Sequence, residues 1–124
     1  MSDTAFTPVI FFKQNCPFCL KPRIFLLEAD LLPSVTLREF VPGSEDEATI
    51  RAELAGKVEK ITFPTAKLAA DSYLTGSDEI IADLAAKAGV DPATLPTYHS
   101  YFAGAFKSMQ ALYVENIGLK KQLA

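Results

Sequence analysis

The stretch Phe11-Phe12-Lys13-Gln14-Asn15-Cys16-Pro17-Phe18-Cys19 contains both cysteines of the chain, at the point where a β-type apolar run meets a helical pattern. Two thiols separated by two residues can form a disulfide at little cost in loop entropy. A helix that begins at Cys16 would point its unpaired N–H groups at that sulfur and favour the thiolate. Lys13, three residues earlier, would add positive charge. The stretch therefore predicts a pair of reactive thiols at the start of a helix.

The composition indicates one ordinary globular domain spanning residues 1–124. Of the 124 residues, 49% are hydrophobic and 22% are charged, and the formal net charge is −3. The lack of a basic run argues against nucleic acid as a partner. Residues 1–5 lack the features of a signal peptide, and the apolar runs are too short for a membrane span. We therefore expect a cytoplasmic protein that does not interact with membranes, in which two close cysteines are more often redox-active or metal-binding than a structural disulfide.

Apolar spacing along the chain predicts the order β-α-β-α-β-β-α, followed by a long amphipathic C-terminal helix. The sheet would be mixed and four-stranded, with helices flanking it, which is an α/β fold. Pro22 lies inside the first predicted helix, where a proline removes one hydrogen bond and can kink the backbone. The predicted strands are residues 8–12, 34–41, 65–69 and 72–75, and the predicted helices are 17–32, 44–55, 76–89 and about 93–121.

The same spacing predicts which helical residues face the core. In the second helix these are Ala48, Ile50, Leu54 and Ala55. In the first helix the inward set is Phe18, Ile24, Phe25, Leu27, Leu31 and Leu32.

Cys16-Pro17-Phe18-Cys19, with Lys13 before it, resembles the active site of the dithiol glutaredoxins, in which the position of Phe18 is usually tyrosine. The resemblance covers about residues 7–89 and implies a thioredoxin-like fold. Thr62-Phe63-Pro64 lies where the family has Thr-Val-Pro, whose proline is cis and brings a backbone edge beside the cysteines. We therefore expect a cis bond before Pro64.

The resemblance also implies a glutathione site. The backbone of Phe63 would pair with the cysteinyl part of glutathione, in the manner of strand addition. Gly76-Ser77-Asp78 resembles the stretch that holds the γ-glutamyl end in glutaredoxins and in the N-terminal domains of glutathione transferases. Ser77 and nearby N–H groups suit its carboxylate, and Asp78 suits its ammonium. Lys13 would bind the glycyl carboxylate, with Lys57 and Lys60 as weaker candidates.

The activity implied is reduction of glutathione mixed disulfides or protein disulfides. Cys16 would be the nucleophile and Cys19 the resolving thiol, with glutathione as co-substrate and no metal. Phe18, Phe63 and Pro64 would lie against the bound glutathione. Glutathionylated or disulfide-containing proteins would be the partners.

Several alternatives stay open on the sequence alone. Each candidate residue has a structural interpretation: a zinc half-site for the cysteines with His99, an ordinary turn for Pro64, helix capping for Ser77 and Asp78, and a solvated charge for Lys13. A glutathione transferase-like enzyme is the nearest functional rival, although such enzymes add a whole helical domain. A non-enzymatic glutathione-binding or redox-sensing module, or one that holds an iron–sulfur cluster, is another. The C-terminal helix is a candidate surface for a homodimer.

Overall fold

The computed structural model describes residues 6–123, so the prediction about residues 1–5 lies outside it. Its strands are β1 (Val9–Lys13), β2 (Thr36–Phe40), β3 (Thr65–Ala69) and β4 (Ser72–Thr75). Its first three helices are α1 (Pro17–Glu28), α2 (Glu45–Leu54) and α3 (Ser77–Ala88). A C-terminal helix follows, made of α4 (Pro96–Ser100), a π-helical stretch (Tyr101–Phe106) and α5 (Lys107–Leu123). The predicted order of elements is confirmed.

The four strands form one mixed sheet in the order β2-β1-β3-β4. β1 runs parallel to β2 and antiparallel to β3, and β3 pairs with β4 as an antiparallel hairpin. The central position of β1 explains its continuous apolar sequence, because both of its faces are covered. The end of β1 therefore delivers the chain to the cysteines from the middle of the sheet.

Side chains of β1 alternate between two hydrophobic clusters. Ile10 and Phe12 pack with buried residues of α1 and α3 on one face. Phe11 packs with Phe40 and the α2 side chains on the other face. The helix that carries the cysteines is therefore held on the same side of the sheet as α3.

α1 ends at Glu28, not near Leu32 as predicted. Asp30 has a φ of 60°, and the N–H of Leu31 donates to the carbonyl of Leu26 at 2.8 Å. The N–H of Asp30 also donates to the carbonyl of Leu27, and together these bonds make a Schellman motif. Leu31 and Leu32 continue the apolar spacing past the end of α1, but they pack on the core from a 3₁₀ turn. For this reason the sequence pattern predicted a longer helix. α1 continues through Pro22, which is buried.

Three residues predicted to face the core are exposed. Ala48 and Ala55 of the second predicted helix are exposed, while Ile50 and Leu54 are buried as predicted. Leu27 is 62% exposed, and its neighbour Leu26 is buried instead. Alanines and consecutive leucines indicate only weakly which face of a helix is buried, so the apolar spacing in these two helices was ambiguous.

The C-terminal helix packs on the domain through its first half. The Glu28 carboxylate accepts hydrogen bonds from the N–H groups of Thr97 and Tyr98, at 2.9 and 2.7 Å, and so caps the start of α4. The predicted long C-terminal helix is confirmed, although past Met109 the described residues of α5 are almost entirely exposed. Homodimerisation through this helix stays a prediction. Within residues 6–123, no helix combines the length and apolarity that crossing a membrane requires.

Candidate active site

Cys16 lies immediately before α1, at the end of a tight loop from β1. Asn15 takes a left-handed backbone conformation with a φ of 60°, which short polar residues adopt more readily than others. Cys16 is extended and forms the N-cap, and Pro17 starts the helix, where its missing N–H costs nothing. The carbonyl of Cys16 accepts from the N–H groups of Cys19 and Leu20, at 3.1 and 3.0 Å. The predicted position of Cys16 at the start of a helix is therefore confirmed.

The two thiols have opposite electrostatic environments. A hydrogen bond from the Cys19 side chain is the main cause that lowers the pKa of Cys16 to about 6. The N–H groups of Cys19 and Phe18 and the charge of Lys13 act in the same direction, against the effect of partial burial. The hydrogen bond to Cys16 and burial raise the pKa of Cys19. Cys19 is 3% exposed, and its sulfur accepts from the N–H of Lys13 at 3.3 Å. Cys16 is therefore an accessible thiolate at neutral pH, and Cys19 is a buried, protonated donor.

This difference predicts a specific pH dependence of alkylation. The rate at which iodoacetamide modifies Cys16 should rise with a midpoint near pH 6, because the thiolate is the reacting form and a pKa of about 6 leaves about 90% of it ionised at pH 7. Mass spectrometry of the peptide containing Cys16, after alkylation between pH 4 and 9, gives the midpoint. The control is the urea-unfolded chain, where the midpoint should lie at about pH 8.5. A folded midpoint above pH 8 would contradict the assigned environment.

The bond between Phe63 and Pro64 is cis, as the resemblance implied. Within residues 6–123, neither the N–H nor the C=O of Phe63 bonds to another backbone group. The Phe63 ring packs edge-on against Phe40 at 4.7 Å between centroids, and the Pro64 carbonyl accepts from the N–H of Gly76 at 3.2 Å. Among the described residues, the backbone of Phe63 thus keeps its N–H and C=O free of backbone partners, and contacts with Phe40 and Gly76 hold the residues beside it in place.

Ser77 and Asp78 begin α3, but neither of them caps it. Gly76 is the N-cap, with a φ of 98°, and within the described residues no side chain caps this helix. The helix-capping interpretation of these two residues is therefore wrong. Asp78 instead forms an ion pair with Lys21 of α1. The carboxylate expected to meet a ligand ammonium already has a cation of this chain beside it.

Lys21 was not among the predicted site residues, yet it is buried, with 1% of its surface exposed. Its ammonium lies over the rings of Phe102 and Phe106, at 3.9 and 4.9 Å from their centroids, as well as beside Asp78. The signal that could have found it is its position three residues after Phe18 and one before the buried Pro22, on the apolar face of α1. Lysine side chains are seldom buried, so helical spacing alone does not predict a buried lysine.

Two neighbouring cavities flank the first turn of α1, which separates them. The thiol cavity, of about 480 Å³, is lined by Cys16, Lys13, Arg23, Tyr101 and Met109 among others. The edge cavity, of about 350 Å³, is lined by Phe18, Lys21, Phe63, Pro64, Ser77 and Asp78 among others. All of the predicted site residues therefore line one of these two cavities.

The C-terminal helix supplies a wall to both cavities. The Tyr101 hydroxyl donates to the carbonyl of Pro17 at 3.0 Å, and burial together with the charge of Cys16 raises the pKa of Tyr101. The Phe18 ring packs edge-on against Phe106 at 5.3 Å and against Tyr113 at 6.1 Å. The helix thus lies beside the thiols.

The weaker candidates lie elsewhere. Lys57 and Lys60 line a separate cavity with Thr62 and Tyr73. His99 is exposed and lines a further cavity without either cysteine. Within residues 6–123, no three His, Cys, Asp or Glu side chains cluster as they would around a metal ion. Lys13 is therefore the predicted cation that shares a cavity with Cys16.

No protein-family model matches this sequence, and no curated protein matches it. Among solved structures, the chain is similar to the crystal structure of a glutathione S-transferase from the Antarctic clam Laternula elliptica. The TM-score is 0.55 at 16% sequence identity, and the match covers 85% of this chain and 47% of the transferase chain. The chain therefore spans about half the length of that protein. Together with the strand order and the helices on both faces of the sheet, this likeness shows that the chain has a thioredoxin-like α/β fold with a long C-terminal helix.

Proposed function

We propose that this chain is a glutathione-dependent thiol–disulfide oxidoreductase of the glutaredoxin type, with Cys16 as its nucleophile. The observation that carries the proposal is the partly exposed Cys16 at the start of α1, with a pKa of about 6, next to a buried Cys19 that donates to it. Support for glutathione comes from the Phe63 backbone, which has no backbone partner within residues 6–123, and from Ser77, which lines the same cavity. A reducing compartment such as the cytoplasm would suit this chemistry.

In the proposed reaction, the Cys16 thiolate attacks the glutathione sulfur of a mixed disulfide. The bond between that sulfur and the substrate sulfur breaks, a Cys16–glutathione disulfide forms, and the substrate leaves as a thiolate that takes a proton from water. A second glutathione thiolate then attacks the bound glutathione sulfur, which releases oxidised glutathione and restores the Cys16 thiolate. One free glutathione is thus consumed per mixed disulfide, and it leaves joined to the glutathione that came from the substrate. The low pKa of Cys16 helps both steps, because it makes the sulfur both nucleophile and leaving group.

Cys19 would act only when a protein disulfide must be resolved. It would attack the Cys16 sulfur of a mixed disulfide, displace the substrate thiol and leave a Cys16–Cys19 disulfide. Its raised pKa and burial oppose this step, because the attacking form is the thiolate. Glutathionylated substrates, which need only Cys16, are therefore the proposed preference over protein disulfides.

A transferase-like activity is the second candidate, and the wall that Tyr101, Ala105 and Met109 give the thiol cavity favours it. That wall makes a partly apolar space beside Cys16, where an electrophile could lie. The similarity to a glutathione S-transferase is consistent with this candidate. The two candidates share the glutathione site and differ in what occupies the thiol cavity.

A pair of assays on the full chain tests the proposal against its rival. We expect turnover of the mixed disulfide of glutathione and 2-mercaptoethanol, with glutathione, glutathione reductase and NADPH, well above the rate without protein. We expect conjugation of glutathione to 1-chloro-2,4-dinitrobenzene to stay at the background rate. The reverse pattern would favour the transferase. Absence of both activities, together with no binding of S-methylglutathione, would contradict both functions.

A further inference from the structure

The Lys21–Asp78 ion pair places a cation of this chain inside the cavity proposed for glutathione. The Lys21 side chain is 1% exposed, whereas the Asp78 side chain is 74% exposed. The ammonium lies among the Asp78 carboxylate and the faces of Phe102 and Phe106. Lys21 and Asp78 both line the edge cavity together with Ser77 and Pro64.

A ligand ammonium would have to share Asp78 with Lys21, which already contacts one oxygen of that carboxylate. An ammonium that is removed from water needs a carboxylate beside it, since leaving it unpaired is costly. The two aromatic faces contribute some attraction but no counter-charge. Lys21 and Asp78 together are electrically neutral, so the pair offers an incoming ammonium little net attraction.

The other charged residues of the cavity decide what the subsite can recognise. Lys107 lines it from the C-terminal helix and is exposed. Glu79 lines it as well, and its carboxylate lies against Gly76. With Lys21, Asp78, Lys107 and Glu79 all charged, the four charges sum to zero, while Ser77 and the first N–H groups of α3 remain suited to an anion. This charge balance favours neither ion, so Ser77 and the N–H groups tip recognition toward a carboxylate. An ammonium would have to share Asp78 with Lys21 or draw on Glu79, whose carboxylate lies against Gly76.

We propose that Lys21 determines the specificity of this cavity: by holding Asp78, it leaves the γ-glutamyl α-ammonium of glutathione unrecognised. This inference rests on the proposed function. The site then accepts thiols that carry an ω-carboxylate acyl group, such as a glutaryl group in place of γ-glutamyl, as readily as glutathione itself. The substrate class is thereby widened from amino-acid conjugates to acid conjugates of cysteinylglycine.

Calorimetric titration of the full chain, reduced, tests the inference with two ligands that cannot exchange thiols. The ligands are S-methylglutathione and its desamino analogue, S-methyl-glutaryl-cysteinylglycine. For the natural chain we expect Kd values within about threefold of each other, because the ammonium adds no charge-assisted hydrogen bond. In Lys21→Met, whose side chain fills a similar space between the rings, Asp78 becomes free and S-methylglutathione should bind at least about tenfold more tightly than its analogue.

The matched control is Lys107→Met, which removes a cation from the same cavity without freeing Asp78, so the ratio of the two Kd values should stay near that of the natural chain. A natural chain that prefers S-methylglutathione by tenfold or more overturns the inference, and this result does not depend on whether any variant folds. Loss of such a preference in Glu79→Gln would then identify Glu79 as the ammonium partner. An unchanged ratio in folded Lys21→Met also overturns it. If the natural chain binds neither ligand, the glutathione proposal itself fails, and this inference falls with it.

Discussion

Replacing Cys16 with serine should lower turnover of a glutathione mixed disulfide by at least about 1,000-fold, because a serine hydroxyl is not ionised at neutral pH and cannot attack a disulfide sulfur. Replacing Cys19 with serine should change the rate by less than about threefold. The serine hydroxyl can still donate to the Cys16 thiolate, and the proposed reaction of glutathionylated substrates forms no disulfide with Cys19. The measurement is the glutathione reductase-coupled rate of each full-length variant.

Cys19→Ser is the matched control for Cys16→Ser, since both variants remove one sulfur from the same turn of α1. Trapping a glutathione adduct on Cys16 in the Cys19→Ser variant, by mass spectrometry, would identify the intermediate directly. Equal loss of activity in both variants would show that the reaction needs the dithiol. Full activity in Cys16→Ser would refute the assignment of the nucleophile.

Removal of either member of the Lys21–Asp78 pair should affect folding stability very unequally. Asp78→Ala leaves the Lys21 ammonium, which is 1% exposed, without a carboxylate, and we expect it to lower the free energy of unfolding by about 3 kcal/mol. This loss of stability is near the low end of the range for breaking a buried ion pair, because water can reach the side of Lys21 where Asp78 lay. Lys21→Met removes the buried charge and leaves a well-solvated carboxylate, so its expected loss is below about 1 kcal/mol. Urea unfolding of both variants, followed by circular dichroism, gives the two values.

The double variant makes this prediction sharper. Lys21→Met combined with Asp78→Ala should be more stable than Asp78→Ala alone, because the stranded ammonium is gone. Glu79→Ala is the control for the loss of an acidic residue in the first turn of α3, and it should cost less than about 1 kcal/mol. If Asp78→Ala is no less stable than Glu79→Ala, the buried ammonium does not depend on Asp78.

The order of the helices and strands could be predicted because each element depends on signals between residues that are close in sequence. The apolar run 8–12 marks the central strand, and the hairpin strands 65–69 and 72–75 match the observed ones. Gly89 ends α3 in a left-handed conformation that glycine adopts without steric cost. Ser44 caps α2 by accepting from the N–H of Glu47. These signals are local, so they can be recognised before the tertiary contacts are known.

The placement of the candidate site residues depended more on resemblance. The cis bond before Pro64 follows from no local rule, since most X–Pro bonds are trans. The placement of Phe63 in one cavity with Phe18 and Ser77 joins residues that are far apart in sequence. Local grounds left helix capping open as the alternative to a ligand role for Ser77 and Asp78, and Gly76 occupies the N-cap instead. The functional roles of these residues remain predictions for the assays above.

By itself, the sequence determined the β-α-β-α-β-β-α order and the position of Cys16 at the start of a helix, because spacing, prolines and glycines act within a few residues. Only the tertiary structure decided where the C-terminal helix lies and what Lys21 does. The partners of Lys21 are Asp78, 57 residues away, and two rings of that helix, more than 80 residues away. No local sequence pattern shows that a lysine side chain is buried. The free-energy cost of burying its ammonium is offset by contacts that exist only after the chain has folded.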